Sequence, residues 1–136
     1  MSVADSLRTM PNPLRASVAI GALHAAGFLY IGISWWIDSM SEPKFVELLR
    51  IMATAALVMG LCLAAATYGI VRKKKFARAP LLVLFLVEAF SFLFTIGNRS
   101  WWLSALGLLS VVGIWGLLPA STRAFLGVED RPTKFD

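Results

Sequence analysis

Four long apolar blocks occupy most of this 136-residue chain and limit what it can fold into. They cover residues 16–37, 48–71, 79–97 and 101–119. Each is about 20 residues long, enough for a helix rising about 1.5 Å per residue to cross a hydrocarbon core of about 30 Å. Charged residues make up only 15% of the chain, against about a quarter in soluble domains. The sequence therefore predicts an all-α fold, a bundle of four transmembrane helices.

A basic loop between the second and third blocks fixes the predicted orientation. It carries five cationic side chains: Arg72, Lys73, Lys74, Lys75 and Arg78. Positively charged loops are retained in the cytoplasm, so this loop and both chain ends are predicted to lie inside, an N-in/C-in topology. Residues 1–15 and 121–136 then form cytoplasmic tails. Ten of the thirteen basic residues fall on the inner side in this arrangement, and three fall outside.

Tryptophans lie at the predicted ends of the spans. Trp35 and Trp36 end the first span, and Trp101 and Trp102 begin the fourth, so the topology predicts all four on the outer membrane face. Trp115 lies near the inner end of the fourth span. Indole rings favour the interface between hydrocarbon and headgroups. We therefore interpret these five residues as interface anchors.

Glu88 and His24 are the most informative polar residues inside the apolar blocks. Glu88 lies near the centre of the third span, where an ionised carboxylate costs several kcal/mol. His24 is the single histidine, and its position in the first span predicts nearly the same depth as Glu88. Three interpretations remain open: a proton relay between the two, a hydrogen bond of about 1 kcal/mol that holds the bundle, or a Glu88 that reaches a partner subunit.

Small residues at four-residue spacing predict close helix contacts, because they let two backbones approach each other. They lie on the first helix at Gly21 and Ala25, and on the second at Ala56, Gly60 and Ala64. A chain with four helices already has partners for such ridges, so packing within the chain is favoured over oligomerisation. The fourth helix carries a looser stripe of small residues: Gly107, Ser110, Gly113 and Gly116.

Residue counts argue against an enzyme or a cofactor protein. One histidine and one cysteine, Cys62, are too few for a zinc site or for bis-histidine ligation of haem within one chain. No glycine-rich phosphate loop is present, and the serines and threonines have no nearby base. We therefore predict no catalytic, metal or cofactor site. The positive charge follows from topology and does not indicate nucleic-acid binding, although the basic loop predicts contact with anionic lipids at the cytoplasmic face.

Three stretches carry a resemblance to a known group of proteins. They are Tyr68-Gly69 ahead of the basic loop, the run from Ala77 to Pro80, and the run from Leu117 to Arg123. In these stretches the chain resembles uncharacterised small four-helix membrane proteins of actinobacteria. Proteins of this build are similar to accessory subunits of the cytochrome bcc–oxidase supercomplex. The resemblance implies a multi-pass protein of the bacterial cytoplasmic (inner) membrane.

These observations predict a non-catalytic accessory subunit of a larger membrane complex, with a respiratory supercomplex as the first candidate. The bulky third helix or the fourth helix would be the docking surface. The alternative is a small homo-oligomeric transporter or channel. In that case Glu88, together with His24, would handle a proton or another cation.

Overall fold

The computed structural model describes residues 2–41, 43–95 and 101–128, without the side chains of residues 92–95 and 101–103. Six α-helices follow one another in this part of the chain: α1 Val3–Thr9, α2 Asn12–Asp38, α3 Val46–Val71, α4 Arg78–Thr95, α5 Trp101–Leu117 and α6 Ala120–Phe125. A short 3₁₀ turn, Lys75–Ala77, precedes α4. The described residues contain no strand, which confirms the all-α class. By length and composition, α2 and α3 are each able to cross a membrane.

Prolines and a capping box determine how the chain enters the bundle. Ser2 caps α1 by accepting a hydrogen bond from the Asp5 backbone, and the Asp5 carboxylate accepts from Ser2 in return. These bonds from Ser2 hold the pKa of the Asp5 carboxyl below its usual range. The helix ends before Pro11, and Pro13 lies in the first turn of α2, where a missing N–H is tolerated. The predicted first span, residues 16–37, lies within α2.

The four long helices are packed unevenly. Helix α2 packs along both α3 and α5, and α4 packs along α5, whereas α3 and α4 touch only slightly. Around the bundle, the long helices therefore follow the order α3, α2, α5, α4. The ring is not tightly closed between α4 and α3, and we call this gap the open seam.

Close backbone contact between α2 and α3 depends on glycine. A Cβ atom built on Gly60 would lie 2.9 Å from Leu29 Cγ and 3.1 Å from the Ala25 carbonyl oxygen. Both distances are too short for ordinary packing. The small-residue ridge of α3 thus faces α2 of the same chain, with Ala56 buried and Ala64 half-buried beside it.

The short helices α1 and α6 both pack at one end of the bundle. From α1, the hydroxyl of Ser6 donates a buried hydrogen bond of 2.5 Å to the carbonyl of Val71, the last residue of α3. At the start of α4, Arg78 Nε donates to the carbonyl of Leu117 at 2.9 Å, which satisfies an acceptor at the end of α5. Helix α6 packs at this same end, and its C-terminal Leu126 is buried in the core. The described parts of the two tails are therefore bound to the bundle.

Helix α3 ends in a turn in which Lys73 has a left-handed backbone conformation. Lys73 has φ +56°, Lys74 N–H donates to the Gly69 carbonyl at 2.8 Å, and Lys73 N–H donates to the Ile70 carbonyl at 2.9 Å. This is the Schellman arrangement, in which glycine is usual because a Cβ atom is strained at positive φ. Helix α6 ends in the same way with Gly127. The second residue of the basic loop, Lys73, is therefore strained.

We expect Lys73→Gly to be more stable than Lys73→Ala by about 1 kcal/mol. Both variants lose the ammonium group that lies over the Phe125 ring, 4.3 Å from its centroid. Only glycine relieves the backbone strain. The measurement is the free energy of unfolding of the purified variants, from SDS titration of detergent micelles followed by circular dichroism. An alanine variant as stable as the glycine variant would show that the turn carries no strain.

Candidate functional site

A cluster of three buried polar side chains lies at the centre of the bundle, one from each of α2, α4 and α5. Nδ1 of His24 contacts Oε2 of Glu88. The hydroxyl of Ser110 donates to the same oxygen at 2.5 Å and lies 3.4 Å from Nδ1. The three residues are 3%, 8% and 0% exposed. We call this set of residues the polar cluster.

A phenylalanine and two glycines position the polar cluster. Phe85, Gly21 and Gly113 each lie three residues from one of its members, on the side of the basic loop. A Cβ atom on Gly113 would lie 2.7 Å from the Phe85 ring, and one on Gly21 would lie 3.6 Å from it. Phe85 is fully buried, and its ring packs edge-to-face with the imidazole of His24. Gly113 leaves room for this ring, whereas a Cβ atom on Gly21 would clash with Thr67 Oγ1. The two glycines therefore let α5 approach α4 and α2 approach α3.

The His24–Glu88 contact requires a proton between the two atoms. Apolar surroundings favour states of zero net charge, either an imidazolium with a carboxylate or a neutral imidazole with a carboxylic acid. In every such state Nε2 of His24 and Oε1 of Glu88 can each form a further hydrogen bond, and both are buried without a partner among the described residues. The cluster therefore has hydrogen-bonding capacity that its internal contacts do not use.

The geometry does not match nucleophilic or metal chemistry. In a hydrolase triad the serine lies at the imidazole nitrogen opposite to the one that contacts the carboxylate. Here Ser110 lies beside Nδ1 and donates to the carboxylate, so the imidazole does not activate it. In the described parts of the chain, no three His, Cys, Asp or Glu residues come together as metal ligands would. The arrangement can hold three helices together or pass a proton between two atoms.

The predicted tryptophan anchors lie near the ends of the helices. Trp35 and Trp36 occupy the last turn of α2, and Trp36 is exposed. Trp115 lies near the opposite end of the bundle and is 73% exposed. The structure does not describe the side chains of Trp101 and Trp102. Their place on the same membrane face as Trp35 and Trp36 therefore stays a prediction.

The basic loop contains two kinds of cation. Lys73 and Arg78 are used within the chain, the first over Phe125 and the second at the end of α5. The other three are exposed: Arg72, Lys74 and Lys75. No ion pair of these three occurs within residues 2–41, 43–95 and 101–128. They are available to an external anion.

Ser110 is the member of the polar cluster that sequence reasoning did not single out. The sequence groups it with the small residues of the fourth helix. Its position along the helix could have indicated the contact with Glu88. Ser110 lies nine residues after the start of α5, and Glu88 lies seven residues before the end of α4. Two antiparallel neighbours with these spacings bring the residues to a similar level. Only the rotation of each helix about its axis decides whether the side chains meet.

No match was found when the chain was compared with models of protein families, with curated proteins and with solved structures. The resemblance to small actinobacterial membrane proteins therefore stays a prediction. Function has to be inferred from the polar cluster, the open seam and the charged end of the bundle.

Proposed function

We propose that this chain is a four-span protein of the bacterial cytoplasmic membrane that serves as a non-catalytic accessory subunit of a larger membrane complex. Both of its ends lie in the cytoplasm. It takes part in assembly or stability of the complex and performs no reaction of its own. Its partners are the proteins of that complex and anionic lipids at the cytoplasmic face.

Helix lengths and charge support the four-span arrangement. Helices α4 and α5 have 18 and 17 described residues, so each is about 25 to 27 Å long at about 1.5 Å per residue, close to the thickness of a hydrocarbon core. The basic loop, Arg8 and Arg123 belong to the end of the bundle where α1 and α6 pack. Basic residues gathered at one end support an orientation with that end in the cytoplasm.

The observation that carries the subunit proposal is the enclosure of the polar cluster. Glu88 faces His24 and Ser110 and is 8% exposed, so its carboxylate binds within the chain and does not reach a partner. The sides of the long helices expose many large apolar side chains, as expected for a protein that acts through contacts with lipid and with other membrane helices.

The outer face of α4 is the surface we propose for the partner. Leu86, Val87 and Phe90 are exposed there, at spacings of three and four residues, so they form one continuous bulky face. The similarity in build to accessory subunits of the cytochrome bcc–oxidase supercomplex makes a respiratory complex the first partner to search for.

Gentle extraction followed by native-gel separation and mass spectrometry tests this proposal. We expect the chain to migrate with a large membrane complex at a fixed stoichiometry. Phe90→Ala should release part of it, because truncating a large aromatic side chain at an interface removes packing that lipid replaces poorly. Ile33→Ala is the control, since Ile33 is exposed on α2, which is not a neighbour of α4 in the bundle.

The proposal fails if the chain migrates alone as a small oligomer from native membranes. If the Phe90→Ala and Ile33→Ala variants were retained equally in a large complex, the contact would lie on another face of the chain. Either result is read from the same gel.

A proton- or cation-coupled transporter is the second candidate, and one observation favours it. His24 Nε2 and Glu88 Oε1 have no hydrogen-bond partner among the described residues, as expected of groups that exchange a proton or bind a transported ion. The test is proton flux into liposomes that contain the purified chain. A transporter predicts flux that Glu88→Gln abolishes, whereas a subunit predicts no flux from either protein.

A further inference from the structure

The open seam between α3 and α4 contains an apolar groove of about 630 Å³. Its walls come from both helices and from the 3₁₀ turn that joins them, and they include Cys62, Ala65, Ala66, Phe76, Ala79 and Val83. Most of these side chains are small, and no charged residue is among those that line it. The groove is therefore a hydrocarbon-lined slot on the side of the bundle.

The head of this groove is strongly basic. Phe76 lines the groove, and the exposed cations Arg72, Lys74 and Lys75 lie within four residues of it along the chain. The sequence has no aspartate or glutamate between residues 48 and 87, so neither wall of the groove supplies an anion. The retention of basic loops in the cytoplasm explains the positive charge, but it does not explain an apolar groove next to that charge. An apolar groove can hold an acyl chain, and cations beside it can hold a phosphate headgroup, so the two features together match a phospholipid.

The size of the groove favours a hydrocarbon chain over a partner helix. A helix about 10 Å across would fill 630 Å³ with about 8 Å of its length, which is about five residues. A membrane-spanning helix has about 20 residues, so most of it would lie outside the groove. An acyl chain is thinner and flexible, and its headgroup would lie at the level of the loop.

We propose that this groove binds one acyl chain of an anionic phospholipid whose headgroup phosphate is held by Arg72, Lys74 and Lys75. Small side chains on α3 and α4 leave room for the chain, and the cations select the headgroup. The site fills the seam that α3 and α4 leave open. The inference rests on the membrane arrangement proposed above and does not depend on the identity of the partner complex.

Native mass spectrometry of the purified chain tests this site. The detergent-solubilised protein is titrated with dioleoyl-phosphatidylglycerol, and separately with dioleoyl-phosphatidylcholine, which has the same acyl chains and no net charge. We expect one tightly bound phosphatidylglycerol and at least tenfold weaker binding of phosphatidylcholine. The combined change Arg72→Gln, Lys74→Gln and Lys75→Gln should remove the preference between the two lipids.

A matched pair of variants tests the groove itself. Ala65→Phe places a ring inside the groove, and Ala26→Phe makes the same change at an exposed position of α2, which does not line the groove. We expect Ala65→Phe to weaken phosphatidylglycerol binding at least tenfold and Ala26→Phe to leave it unchanged. Full binding by Ala65→Phe would overturn the proposal, because it would show that the lipid is held by surface charge alone.

Other outcomes are equally decisive. Equal binding of the two lipids would overturn the proposal. The proposal would also be overturned if a polypeptide co-purified with the chain and only Ala65→Phe released it, because the groove would then hold a partner helix. The assay uses the chain alone, so the absence of a partner complex does not affect it. A chain that stays in solution without detergent would instead contradict the membrane arrangement.

Discussion

Replacing Glu88 by leucine should lower the free energy of unfolding by about 1 to 3 kcal/mol, the range for leaving a buried polar group without its partner. Ser110 keeps a hydrogen bond to the carbonyl of Leu106 at 3.2 Å, so most of the loss falls on His24. The measurement is SDS titration of the purified protein in detergent micelles, followed by circular dichroism. Ser91→Leu is the matched control. Ser91 lies on the same helix, is exposed, and bonds only to the carbonyl of Val87 in the described residues.

The double variant Glu88→Leu with His24→Leu separates a paired site from two independent residues. Because replacing both members of a buried pair by apolar groups can be nearly neutral, we expect the double variant to be closer to the parent than Glu88→Leu alone. The interaction free energy, calculated from the parent, the two single variants and the double variant, then measures the strength of the contact between His24 and Glu88. Additive losses, with the double variant the least stable, would contradict the contact between the two side chains.

Replacing Gly60 by alanine should lower the free energy of unfolding by about 1 to 3 kcal/mol, and Gly60→Leu by more, because added volume here meets backbone atoms. A Cβ atom at this position would lie 3.0 Å from the Leu29 nitrogen and 3.1 Å from the Ala25 carbonyl oxygen. The two helices would have to separate along their longest contact. The measurements are the same SDS titration and the yield of folded protein after extraction.

Gly27 provides a matched control for this prediction. It lies on α2 in the same region, and a Cβ atom built there meets nothing within 4 Å. We expect Gly27→Ala to leave stability unchanged or to raise it slightly, since alanine favours the helix. If Gly60→Ala and Gly27→Ala were equally stable, the close contact between α2 and α3 would be refuted.

Sequence alone determined the helical class and the approximate depth of the polar residues. Apolar blocks of about 20 residues predict packed helices, because in lipid every backbone N–H and C=O needs an internal partner. The fixed rise of a helix puts His24 and Glu88 at similar depth whatever the packing. The prolines at positions 11, 13 and 119 likewise lie beside observed helix boundaries.

The tertiary structure decided which side chains meet and which seam stays open. Helices α2 and α5 carry apolar residues on most sides, so their sequences give little information about which face turns inward. Rotation about each axis was decided by packing, above all by the fit of the Phe85 ring against Gly113. That fit brings Ser110 to Glu88. The groove between α3 and α4 likewise follows from helix arrangement, which no residue pattern along a single helix encodes.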